Sequence, residues 1–401
     1  MSELKRRLSL GGATVIGIGS MIGAGLFASF GPAAAAAGGL LYLSLVIAAI
    51  IAFCNATSSA QLAAQYPTSG GTYVFGRERL GPWWGYAAGW SFLIGKTASV
   101  AAMALTFGHY VAPDHREIAA ALILLVVAGI NHAGITRTAG ATAVILVITL
   151  TSLAVVLGAG WSERTAVASA PVDSSALGVL QGAGLLFFAF AGYARIATLG
   201  EEVKDPERSI PRAIMTALGF VLALYALVAF SLVTLLGIDA LAGSTHPLAD
   251  LSDSPAVQVI LTAGVAAACS GSLLGLMAGI GRTGLAMARE GDLPGGLAAV
   301  HPRGVPHRIE LLLLIVTVLL VLFVPLEGAI GFSSFGVLLY YAVANLSAWT
   351  QTDYRRYPRW LQALGLVGCL AVALSLPAGS VIAGAGVLTA GLILRPAFQR
   401  L

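Results

Sequence analysis

The sequence predicts an all-α membrane protein of about twelve transmembrane helices, and three observations predict it. Of its 401 residues, 58% are hydrophobic and only 10% are charged, against roughly 25% in ordinary soluble domains, so there are too few charges to cover a soluble surface of this size. The charges cluster between apolar runs, each near or above the roughly 20 residues needed to cross a bilayer. Finally, all but four of the 22 Lys and Arg fall on one side once the runs are threaded alternately through a membrane. The positive-inside bias makes that side the cytoplasm and places the N-terminus there, behind Lys5, Arg6 and Arg7.

The expected spans are 10–36, 39–65, 83–110, 117–134, 138–160 and 176–201, then 212–237, 255–287, 308–325, 328–350, 360–377 and 379–395. One missed span would scramble the charge bias, which leaves only Arg116 and Arg164 outside and Lys96 and Arg195 within spans. The connectors are too short to fold alone, so one domain of 1–401 is expected in the plasma (inner) membrane. No apolar segment ends in a small-residue cleavage site, so no removable signal peptide is expected. Cys54, Cys269 and Cys369 lie inside spans without metal-ligand spacing and read as small hydrophobes.

Two spans carry the expectation of function. Span 1 contains Gly17-Ile18-Gly19-Ser20-Met21-Ile22-Gly23-Ala24-Gly25-Leu26-Phe27. Each Gly costs a helix interior roughly 1 kcal/mol relative to Ala, so this span is where regular hydrogen bonding is most cheaply given up. Gly19 and Gly23 alone would make an ordinary small-residue packing face. Ser20, Ala24 and Gly25 add small residues on other faces, more than one packing stripe needs. Span 6 carries Phe187-Phe188-Ala189-Phe190-Ala191-Gly192-Tyr193-Ala194-Arg195, readable as an aromatic packing patch with one tolerated Gly. Spans 1 and 6, however, each head a set of five, and transporters built from inverted repeats interrupt helices at corresponding positions. Main-chain groups freed in lipid are tolerated only where they line a cavity or hold a ligand.

Taken together the residues resemble the amino acid–polyamine–organocation (APC) superfamily of permeases, with the LeuT-type 5+5 inverted-repeat fold. The resemblance rests on the span 1 stretch, on Pro67-Thr68-Ser69-Gly70-Gly71-Thr72-Tyr73, on Phe188 to Tyr193 running into Glu201-Glu202-Val203-Lys204-Asp205-Pro206 and Ile210-Pro211-Arg212, and on Ala286-Met287-Ala288-Arg289-Glu290-Gly291-Asp292-Leu293-Pro294. It implies repeats at about 10–160 and 176–350, with extra helices at about 360–395. It implies that a substrate carboxylate meets N–H groups near Gly23, Ala24 and Gly25, and that the ammonium meets carbonyls near Met21, Phe188 and Ala191. Phe190, Ala194 and Leu276 would face the substrate side chain. Two departures stand out: many members carry an acid where Ala194 stands, and proton-coupled relatives often carry a lysine in span 5, where this chain has Thr149, Thr151 and Ser152.

Lys96 and Arg195 are the charges within spans, and an ionisable residue at that depth is a functional candidate by default. Lys96 lies roughly 13 residues, about 20 Å, from either end of span 3, too far to snorkel. It is expected either to carry the coupling proton or to brace freed carbonyls. Arg195 is expected to brace carbonyls or pair with a cytoplasmic carboxylate. Ser270 and Ser272 are expected either to complete a sodium site with span 1 carbonyls or to bond their own helix. Gly279-Ile280-Gly281-Arg282-Thr283-Gly284 spells a dinucleotide fingerprint but lies in an apolar helix without a βαβ unit, so no nucleotide cofactor is implied.

The expected function is secondary transport of amino acids by alternating access, with neutral α-amino acids favoured because a pocket without carboxylates would leave a cationic substrate unpaired. Proton coupling or exchange is expected, with sodium coupling or an anionic amino acid as alternatives. No enzyme activity, cofactor or nucleic-acid partner is expected; a channel or receptor is the competing class, and a channel would need a continuous polar path that these isolated polar residues do not provide.

Overall fold

The computed structural model describes residues 8–68, 70–134, 138–167 and 174–399. Lys5, Arg6, Arg7, Ser69, Arg137 and Arg400 lie outside them. The described residues are helical throughout, apart from connectors and one isolated bridge between Leu8 and Val203. Among them, nine helices are long and apolar enough to cross a membrane, and α7 (Arg116–His132), α14 (His307–Phe323) and α16 (Arg359–Ser375) are 17-residue helices at the short end of that range.

Span 1 is three pieces rather than one: α1 (Leu10–Met21), α2 (Ala24–Ala28) and α3 (Phe30–Ala37). Ser9 caps α1 by accepting a hydrogen bond from the Gly12 N–H at 3.2 Å. The α1 ladder stops at Met21, and Gly23, at φ −134° and ψ −147°, turns the chain before α2 resumes. Span 2 is α4 (Leu41–Gln65), and span 6 is α9 (Ala176–Phe190), a 3₁₀ turn at Ala191–Tyr193 and the short α10 (Ala194–Ala197). The other long elements are α6 (Pro82–Val111), α8 (Ala139–Glu163), α11 (Pro206–Leu236), α13 (Pro255–Arg289), α15 (Leu326–Trp349) and α17 (Ala378–Phe398).

Two segments expected as connectors are helical instead. Residues after Gly71 form α5 (Thr72–Leu80), positioned by the Thr72 N–H, which donates to Tyr340 Oη at 3.2 Å. Residues 206–211 open α11, because Pro206 at the first helical position needs no N–H partner and already has helical φ. A further short helix, α12 (Ile238–Gly243), packs on α3. The Gly279–Gly284 stretch stays inside α13. The main core cluster draws on α1, α6, α9, α11 and α15, so the two interrupted helices sit within packed helices, and a smaller cluster forms around Tyr73, Tyr86 and Met287.

Candidate functional site

The two interruptions lie against each other. A Cβ at Gly192 would stand 2.2 Å from Ser20 O and 2.6 Å from Met21 N, and one at Gly25 would stand 2.4 Å from Ala189 Cα. Only hydrogen fits at either place, so each break is seated directly on the backbone of the other.

The carbonyls freed there find side-chain partners from the surrounding helices, as buried main-chain acceptors must. Tyr225 Oη of α11 lies 2.7 Å from Met21 O and 3.0 Å from Ala189 O, one hydroxyl serving both breaks. Lys96 Nζ of α6 donates to Ala191 O at 3.1 Å, and Tyr341 Oη donates to the same oxygen at 3.4 Å. Ser272 Oγ donates to Gly19 O at 3.3 Å, while Ser20 Oγ returns to Ile16 O at 2.7 Å. A carbonyl has two lone pairs, so those with one partner keep a site for a ligand donor.

Between the breaks lies a cavity of about 80 Å³. It brings together Met21, Gly23, Gly25, Phe188, Ala191, Ala194, Lys96, Arg195, Ser272 and Leu276 of the expected residues. It does not bring in the others. Ala24 and Phe190 are fully buried, and the Phe190 ring packs on Tyr225, centroids 5.0 Å apart. Thr149 Oγ1 donates to Ile145 O at 2.9 Å in its own helix and lies 3.4 Å from Gly264 O, away from the cavity. Ser270 does not line it. Helical residues two positions apart point about 200° from each other, so Ser270 and Ser272 cannot both face one site.

Several lining residues escaped the sequence reading. Phe92, Ser99 and Met103 share the face of α6 that carries Lys96, and Thr198, Arg282 and Thr283 continue the lining. The available signal was helical spacing from Lys96, which leads back four residues to Phe92 and forward three and seven to Ser99 and Met103. On the opposite side Tyr110 Oη donates to Phe27 O at 3.0 Å and its ring meets Phe27 edge-on. Arg282 at the mouth lies 3.6 Å from Glu202, a half-exposed pair joining α13 to the segment after α10. Arg195 donates to Thr198 Oγ1 at 3.3 Å in the next turn. The charged side chains lining the cavity are Lys96, Arg195 and Arg282, all cations.

Comparison with known proteins gives the family. The family model described as amino acid permease matches residues 8–392. An uncharacterized transporter of Mycobacterium tuberculosis (strain ATCC 25618 / H37Rv) is 52% identical over 397 residues, covering 97% of this chain and 90% of its own. The branched-chain amino acid permease BcaP of Bacillus subtilis is 28% identical over 75% of this chain and 71% of its own. The cationic amino acid transporter 4 of Homo sapiens is 29% identical over 86% of this chain and 60% of its own. These relatives are transporters and permeases, not enzymes.

Proposed function

Because this chain belongs to the amino acid permease family, we propose that it moves neutral α-amino acids by alternating access, driven by a proton gradient or by exchange. The observation that carries this reading is the cavity between two mutually seated helix breaks, lined by apolar side chains, hydroxyls and cations, with no carboxylate among the described lining residues. The substrate carboxylate would meet N–H groups of Gly23, Ala24 and Gly25, and its ammonium the carbonyls of Met21, Phe188 and Ala191, taking the place of a side-chain donor such as Lys96 at Ala191 O. Phe188, Ala194 and Leu276 would bound its side chain. A cationic substrate would leave its extra charge beside Lys96, which disfavours it.

In this reading the chain is one transporter domain, with repeats at about 10–160 and 176–350, and its basic face is cytoplasmic. Lys96 is the proton carrier or the brace of Ala191 O, with Arg195 on the path between the cavity and the basic face. Lys96, Arg195 and Arg282 give specific support to a second reading, an anionic amino acid. Ser272 beside Gly19 O is what supports sodium coupling. Counterflow in proteoliposomes tests the proposal: preloaded unlabelled glycine, alanine or glutamate should drive transient accumulation of the labelled compound. Simple equilibration would mean a channel and end the carrier reading, and glutamate outcompeting alanine would replace the neutral substrate by the anionic one.

A further inference from the structure

Behind the α6 face that carries Lys96 lies a second, larger space of about 720 Å³, facing outward between α6, α13, α14, α15 and α17. Its wall on α6 is Leu93, Ile94, Thr97 and Ala98, the opposite side of the helix from the transport cavity. Thr97 turns its hydroxyl back to Leu93 O at 2.7 Å, leaving the wall apolar. The groove follows α14 from Ile309 to Val324, about 22 Å at roughly 1.5 Å per residue. That exceeds the depth of one leaflet, about half of the roughly 30 Å hydrocarbon core. Leu312 and Val316 on its rim are 48% and 37% exposed, as expected of side chains left for something apolar to cover.

One end is chemically different. Leu297, in the short 3₁₀ turn Gly295–Ala298, floors the groove, and Arg308 is anchored beside it by donating from Nη1 to Gly296 O at 2.8 Å. That partner is a neutral carbonyl, so the guanidinium keeps its charge and further N–H donors for a phosphate. Two nearby carboxylates are engaged elsewhere, Asp292 with Arg77 and Arg395 and Glu290 with Arg77, while Glu310, two residues along α14, is turned inward and buried beside Gly281 of α13. Trp90, on the same end of the wall, donates its indole N–H to Val387 O at 3.0 Å.

We propose that this groove is a phospholipid site: one acyl chain lies along α14 and an anionic headgroup is held by Arg308. A chain-shaped apolar slot open to the bilayer, ending at an anchored cation on the more basic face, matches an anionic lipid in both its parts. A second copy of the chain would satisfy the apolar slot but makes no use of Arg308.

Native mass spectrometry of the full chain, with phosphatidylglycerol and phosphatidylcholine of identical acyl chains, tests this. Wild type should retain one phosphatidylglycerol, at least fivefold in preference to phosphatidylcholine. Arg308→Ala should erase that preference, and Ala383→Trp, which fills the slot from α17, should remove both lipids. Equal retention of the two lipids by wild type overturns the headgroup assignment, and a lipid-free dimer overturns the occupant. If Ala383→Trp loses its monodisperse size-exclusion peak, Val387→Trp fills the slot one turn nearer the basic end, and the Arg308→Ala comparison stands independently.

Discussion

Two buried cations in this molecule face opposite fates. Arg395 of α17 is 3% exposed and fully answered: Nη2 and Nε lie 2.8 and 2.9 Å from Asp292 Oδ1. Its guanidinium also stacks on Trp83 at 4.4 Å and Tyr86 at 5.0 Å. Arg77 and the Tyr73 hydroxyl complete Asp292 at 2.9 and 2.8 Å. Lys96, 7% exposed, has a carbonyl and a cavity instead of a carboxylate. The first arrangement ties α5, α17 and the connector after α13 together and leaves little for a proton or ligand to change. The second keeps a charge where its surroundings can alter with what enters the cavity, which is where function is to be sought.

The comparison can be broken at Arg395 first. Asp292→Asn leaves that guanidinium buried without its countercharge, and a loss of about 3–5 kcal/mol is expected, read as a fall in thermal midpoint of the detergent-solubilised protein. A midpoint within a degree of wild type would show that the cluster is no brace. Gly192→Ala keeps every charge but drives a methyl into Ser20 O beside the carbonyl that holds Lys96; about 1–3 kcal/mol should be lost and transport with it. Tyr225→Phe removes the hydroxyl shared by Met21 O and Ala189 O and should cost about 1 kcal/mol, with reduced uptake.

Lys96→Met sharpens the contrast from the other side. Its stability should change by under about 1.4 kcal/mol, because an incompletely paired buried charge contributes little net, while proton-driven uptake disappears and exchange survives. A mutant whose uptake still follows a pH gradient normally would remove Lys96 from proton carriage. The smallest effect lies outside the spans, at His246. Its hydrogen bond to Asp250, 3.1 Å away, raises its pKa above the usual histidine value, outweighing partial burial. A raised value means the pair's stabilisation is complete below the unfolded-state value and is lost as pH rises through the folded one. The pair is 41% and 35% exposed, so His246→Gln should flatten the pH dependence of the midpoint by well under about 1 kcal/mol.

The spans and both breaks were legible because glycine density and apolar run length are local properties. Lys96 was legible because its depth follows from counting residues. Tyr225 and Tyr341 are not legible in this way: a buried tyrosine hydroxyl usually finds a partner, but which carbonyl it meets depends on helix packing. The fit of Gly192 on Ser20, and of Gly25 on Ala189, joins residues far apart in the chain and leaves no periodic trace. Ser270 and Ser272 show the converse: helical geometry already separates them by about 200°, and treating them as a pair overlooked it. Thr149 stands where proton-coupled relatives often carry a lysine, and its hydroxyl turns to carbonyls outside the cavity.

Backbone seated on backbone has a mechanical corollary. With no side chain between them to change rotamer, the interrupted parts of α1 and α9 have nothing compliant at their contact and behave as gears on a common shaft, so neither turns while the other stands still. Distance labels placed across each interruption should therefore report a single shared transition with one midpoint; two separable midpoints would show the gears slipping.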